Sequence, residues 1–227
     1  MDLTSTRRLA AGLTLLTATL AFPVLADLTV TLDRNGAGDI PVQFRDDDHV
    51  RIGSDDSASR FLTSDGRTYV LMASPDGKKQ FAMDMDAYLS RDDAPRGVEP
   101  NLDGVKATSL DRQETIGGMT GDVYQVDGGG RQWELVLTDD ATMTSVTAAV
   151  YGAEIGMARM SGQAVAAQPL VTELALAQSL GALGILRGQL YQVVEIEDAG
   201  ELPDERFALD DDTLVISDWK QLQDAYH

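Results

Sequence analysis

A chain of 227 residues with 37 acidic and 18 basic side chains carries a formal charge of −19, which speaks against nucleic acid and anionic lipid surfaces as partners. Hydrophobic residues make up 43% of it, which excludes wholesale disorder. The absence of cysteine excludes disulfides, thiol catalysis and thiolate metal sites, so the core alone must hold the fold.

The N-terminus reads as an export signal. Arg7 and Arg8 form a positive start, Leu9 to Leu20 is apolar, and Val24-Leu25-Ala26 fits a signal-peptidase site. Cleavage is expected after Ala26, releasing a chain that begins at Asp27 into the periplasm. The apolar run is too short for a stable span, so no lasting membrane insertion is expected.

Strict alternation over Leu28–Leu32 predicts a first strand. Asn35–Gly38 reads as a turn, and Val42 and Phe44 mark a second strand. His49–Ile52 and Ser59–Thr63 give a third and a fourth. Arg67–Ser74 is the fifth, with Tyr69, Leu71 and Ala73 on one side and Val70 and Met72 on the other. After a turn at Pro75-Asp76-Gly77, Lys79–Met85 returns with Phe81, Met83 and Met85 on one side. This is an antiparallel meander.

Ser90–Asp103, polar and interrupted by Pro95 and Pro100, reads as a loop. Strands follow at Ala107–Glu114, Asp122–Val126 and Arg131–Thr138, the last with Trp133, Leu135 and Leu137 on one face. A corner at Ile116-Gly117-Gly118-Met119-Thr120-Gly121 and a hairpin turn at Asp127-Gly128-Gly129-Gly130 separate them. Ala141–Met160 then predicts a helix. Pro169–Leu186 predicts a second, whose apolar residues surround most of its axis and therefore demand burial on nearly all sides. Gln189–Ile196 and Thr213–Ser217 predict strands. Ser217 is placed to N-cap a last short helix with Trp219, Leu222 and Tyr226 on its apolar side.

This order predicts an α+β fold in one domain from Asp27 to His227: a curved antiparallel sheet, or half-barrel, with one or two helices in its concave face. The Tyr69–Met85 block and the run Glu114-Thr115-Ile116-Gly117-Gly118-Met119-Thr120-Gly121-Asp122-Val123-Tyr124-Gln125-Val126 resemble an uncharacterised family of exported bacterial proteins. Leu202-Pro203 with Phe207-Ala208-Leu209 is similar to the closing strand of periplasmic lipoprotein-carrier-like half-barrels. The resemblance implies a half-barrel with a helical plug. It carries over no lipoprotein-handling residue.

Catalytic chemistry is scarce. His227 ends the chain, and His49 sits at a strand edge in Asp46-Asp47-Asp48-His49. A Ser-His-Asp triad or a zinc site is not expected, and no phosphate-loop or dinucleotide motif is present. Asp33-Arg34-Asn35-Gly36-Ala37-Gly38-Asp39 resembles the start of a calcium loop. It has Ala37 at the fifth place and Phe44 at the twelfth, where ligands are needed, so a hairpin turn is the reading. The acidic triplets at Asp46–Asp48 and Asp210–Asp212 read as solvated turns.

The apolar faces are the better candidates. Tyr69, Leu71, Phe81, Met83, Trp133, Leu135, Leu137 and Leu174 are expected to line a pocket between sheet and helix. If so, Leu135→Trp fills space and weakens binding without unfolding the chain. The expected function is a non-enzymatic periplasmic protein that binds a hydrophobic ligand or acyl chain, in envelope lipid or lipoprotein handling, without catalytic residue, metal or cofactor. The alternative is an acidic interaction module with a packed core and a basic or calcium-bearing partner. An enzyme working through paired carboxylates is a third reading.

Overall fold

The computed structural model describes residues 27–34, 36, 38–57, 60–74, 77, 79–182 and 184–225. The expected export signal lies outside them, as do parts of the turns at 35–38 and 75–78, Ser59, Leu183, Tyr226 and His227. Among the described residues the chain forms strands β1 (Asp27–Asp33), β2 (Asp39–Asp46), β3 (His49–Ile52), β4 (Arg60–Ser64), β5 (Arg67–Ala73) and β6 (Gln80–Asp84). Helix α1 (Met85–Leu89) follows, then β7 (Lys106–Ile116), β8 (Met119–Gly128) and β9 (Arg131–Thr138). Helices α2 (Ala141–Met160) and α3 (Gln168–Ser179) precede β10 (Gly184–Arg187), β11 (Gln192–Gly200), β12 (Leu214–Ile216) and α4 (Trp219–Ala225).

All twelve strands join one open sheet in the order β12-β6-β5-β4-β3-β2-β1-β11-β10-β9-β8-β7. Two meanders are therefore joined where β11 pairs with β1 (Val30 opposite Ile196). Local turn chemistry sets the tight hairpins. Asp65-Gly66, Gly117-Gly118 and Gly129-Gly130 all have positive φ at both central residues, the geometry that matches the right-handed twist of paired strands. The sheet is mixed rather than wholly antiparallel, because β12 pairs with β6 in parallel.

Register sorts the side chains of the first meander. Val70 faces Met83 across β5 and β6, whereas Leu71 faces Ala82. Val30, Val42, Ile52, Phe61, Val70, Phe81 and Met83 share one core with Leu135 and Leu137 of β9 and with Val146, Val150 and Tyr151 of α2. Leu62, Tyr69, Leu71 and Ala82 form a smaller cluster on the other face, where Leu209 packs. The chain around Leu202–Leu209 covers that side. Its Leu202 N–H donates to Asp27 (2.7 Å), and the Phe207 ring lies under the Arg45 guanidinium (4.8 Å) and edge-on to His49 (6.0 Å). His49 is thus packed on one side rather than freely solvated, and its Nδ1 lies 2.7 Å from Asp46 Oδ1.

Helix α2 starts where expected. The Asp140 carboxylate accepts the Met143 N–H at 2.9 Å, satisfying one of the free donors of the first turn. The Thr147 hydroxyl accepts the Ile185 N–H at 2.9 Å, fastening α2 to β10. Gly156 lies so close to Met85 of α1 that a Cβ would collide with its sulfur.

Three boundaries differ from expectation. The apolar stretch from Pro169 to Leu186 is not one helix: α3 stops at Ser179, and Gly184–Arg187 is strand β10. Gly181 has φ +81, and the Ala182 N–H turns back to the Ala177 carbonyl (3.2 Å). That left-handed closure ends a helix whatever the polarity of the residues beyond it. Met85 opens α1 instead of closing a strand, because Asp84 caps the turn by accepting the Ala87 N–H (2.8 Å). The cap of α4 falls on Asp218, whose carboxylate accepts the Gln221 N–H (2.8 Å), while the Gln221 side chain accepts from the Ser217 N–H (2.8 Å).

Candidate binding cleft between sheet and helix

Strands β2 to β4 and helix α2 bound a cleft of about 260 Å3. Ile40, Ile52 and Phe61 line it from the sheet side, and Val150 and Met157 from the helix. Ile52 and Phe61 are paired across β3 and β4, so their side chains project to the same face. Val150, Glu154 and Met157 are spaced to share one face of α2. The turn after β1 adds Arg34, and the residue before β11 adds Tyr191.

The polar groups of the cleft are linked. The Tyr191 hydroxyl donates to Glu154 Oε1 at 2.8 Å. Arg34 Nη2 lies 3.5 Å from Glu154 Oε2, with the Arg34 side chain 47% exposed, and its guanidinium lies 5.7 Å from the centre of the Tyr191 ring. A long ion pair to a half-exposed arginine contributes little to stability and exchanges readily for another anion. Burial, reinforced by the charge of Glu154, pushes the Tyr191 phenol above its usual range, so it stays a neutral donor.

Behind the cleft the network continues into the core. The Tyr191 and Tyr151 rings are tilted against each other at 6.0 Å. The Tyr151 hydroxyl donates to Glu173 Oε2 at 2.6 Å, and the Gln189 N–H donates to Glu173 Oε1 at 2.7 Å. Glu173 is 2% exposed. Burial raises its carboxyl above the ordinary glutamate range, and the bonds from Tyr151 and Gln189 oppose that rise. Burial raises the Tyr151 phenol well above its ordinary range, and the nearby carboxylate adds to it. Gly188 packs against this pair so closely that a Cβ would overlap the Glu173 carboxylate. The Trp133 indole faces the same carboxylate, but its N–H makes no hydrogen bond of normal geometry among the described residues.

The residues expected to line the site are distributed differently. Phe81, Met83, Leu135 and Leu137 are filled core, each 2% exposed or less. Tyr69 and Leu71 lie on the opposite sheet face from Phe81 and Met83, because antiparallel register puts Leu71 beside Ala82. Trp133 is half-buried beside Glu173. Leu174 lines a second, apolar groove of about 370 Å3 between α2 and α3, with Ala148, Gly152, Ile155, Val171 and Ala175. None of the eight lines the sheet–helix cleft. Sequence reasoning missed Arg34, Ile40, Ile52, Phe61, Val150, Glu154, Met157 and Tyr191, and only the helical spacing of Val150, Glu154 and Met157 offered a local signal.

The expectation for Leu135 changes accordingly. A tryptophan there overpacks a filled core, and we expect Leu135→Trp to lower stability by about 1–3 kcal/mol in urea unfolding. An unchanged midpoint would show free space beside Leu135.

The chain matches no protein-family model, no curated protein and no solved structure.

Proposed function

We propose that this protein is a non-enzymatic binder of a small amphipathic molecule, held with its apolar part in the cleft between β2–β4 and α2 and its anionic head on Arg34. In this reading the sheet curves as a lipoprotein-carrier-like half-barrel with α2 and α3 in its concave face. The chain works in the periplasm after cleavage behind Ala26, in envelope lipid or lipoprotein handling. The supporting observation is the lining: Ile40, Ile52, Phe61, Val150 and Met157 beside one half-exposed guanidinium. Ligand sites are of this kind, mostly apolar with a few placed polar groups.

The test uses the chain from Asp27 and a fluorescent decanoyl carboxylate probe. Saturable binding to the folded protein is expected. Met157→Trp, at a partly exposed position on the cleft wall, should weaken it about tenfold with little change in thermal midpoint. Failure of the folded protein to bind the probe would sink this reading. The rival interaction module rests on the filled core at Leu135 and Leu137, and under it a basic peptide binds and the probe does not.

A further inference from the structure

On the sheet face opposite α2, three arginines of this acidic protein converge. Arg51 of β3, Arg60 of β4 and Arg206 of the covering segment line a polar pocket of about 410 Å3. All three reach the carboxylate of Asp55. Its Oδ1 accepts from Arg51 Nη2 (2.5 Å) and Arg60 Nη1 (3.2 Å), and its Oδ2 from Arg206 Nη1 (3.3 Å). Asp55 lies after β3 with its side chain 59% exposed, whereas the arginines are held from behind. Arg206 donates twice to Gln43 Oε1 (3.0 and 3.2 Å), and Arg51 Nη1 donates to the Arg206 carbonyl (3.3 Å). Of the four side chains, the Asp55 carboxylate is the most exposed, and Arg51 and Arg60 are the least.

Two residues of the lining, Arg51 and Thr213, also carry an unpaired polar atom beneath the pocket wall. Arg51 is 9% exposed, and its buried Nε has no hydrogen-bond partner among the described residues; neither has the buried Thr213 hydroxyl. Leaving a buried donor unpaired is costly. The other wall has the opposite sign, with Glu205 and Asp210 lining it. The Gln80 amide bridges the two ends when its oxygen accepts from Arg60 (2.7 Å) and its nitrogen donates to Asp210 (2.8 Å).

We propose that this pocket is a second binding site, for a small monocarboxylate that carries a hydroxyl or ammonium group. The ligand carboxylate takes the place of the Asp55 side chain among the three guanidinium groups, whose planar forks suit a carboxylate. Its hydroxyl or ammonium donates toward Asp210 and Glu205. Those two acids disfavour a second anionic group, and Asp55 acts as a built-in competitor for the arginines.

Calorimetric titration of the chain from Asp27 with lactate and with alanine tests this, the two probes separating hydroxy acid from amino acid. At least one should bind saturably. Asp55→Asn removes the competing charge and leaves the arginines in place, so it should bind the same probe about tenfold more tightly. Arg206→Gln, with its folding checked by thermal melting, should bind about tenfold more weakly. Absence of binding to both wild type and Asp55→Asn overturns the site. Tighter binding of succinate or inorganic phosphate than of either probe overturns the monocarboxylate assignment. Asp55→Asn binding no better than wild type overturns the competitor role.

Discussion

Tyr151→Phe is expected to destabilise the protein by about 2–3 kcal/mol near pH 7.5 and by clearly less near pH 4, read from urea unfolding at the two pH values. The substitution removes the hydroxyl that donates to Glu173 at 2.6 Å and leaves a buried carboxylate with fewer donors. Glu173 has a folded-state pKa above its ordinary value of 4.5 because burial penalises its charge. Its contribution to stability is therefore fully present below the unfolded value and is lost as pH rises through the folded one. Removing the Tyr151 donor raises the folded value further, so the damage is greatest where the carboxyl must be charged. Near pH 4 the carboxyl is largely protonated in the folded state, and most of the penalty is gone. An equal loss at both pH values would mean that the Tyr151 hydroxyl does not stabilise a charged Glu173.

Leu176→Asp and Leu174→Asp should differ widely although both lie on α3. Leu176 is 5% exposed and belongs to the main core. An aspartate there buries a charge without a partner and should cost about 4 kcal/mol or prevent folding. Leu174 is partly exposed on the wall of the groove between α2 and α3, where an aspartate keeps contact with water and should cost about 1 kcal/mol or less. Thermal melting of both variants checks the difference. Equal, large losses would restore the helix buried on nearly all sides that an uninterrupted apolar run from Pro169 to Leu186 implies.

That helix shows why part of the fold was legible in the sequence and part was not. The meanders could be read because their signals are local: period-two alternation, and turns such as Gly117-Gly118 and Gly129-Gly130 that accept positive φ. Helix α2 was legible through the length of the segment Ala141–Met160. The end of α3 was hidden because Leu180 and the residues of β10 are as apolar as the helix before them. Gly181 and Gly184 were the local signs of a stop. The join of the two meanders through β1 and β11 has no local signature, since Val30 and Ile196 meet only in the folded chain.

The cleft was hidden for the same reason. Arg34, Ile52, Phe61, Met157 and Tyr191 come from separate parts of the chain, and only the sheet order brings β2, β3 and β4 under α2. Grouping Tyr69 and Leu71 with Phe81 and Met83 required knowing which faces of β5 and β6 coincide. The alternation within each strand was read correctly, but the register between the strands decides that question.

Methyl NMR of the chain from Asp27, titrated with decanoate, tests the sheet–helix cleft most directly. Ligand binding there predicts saturable shifts at Ile40, Ile52, Val150 and Met157, with Leu135 and Leu137 unmoved, and loss of those shifts in Arg34→Gln at the same decanoate concentration. Shifts confined to Ala148, Leu174 and Ala175, or no saturable shift in the folded protein, would contradict it.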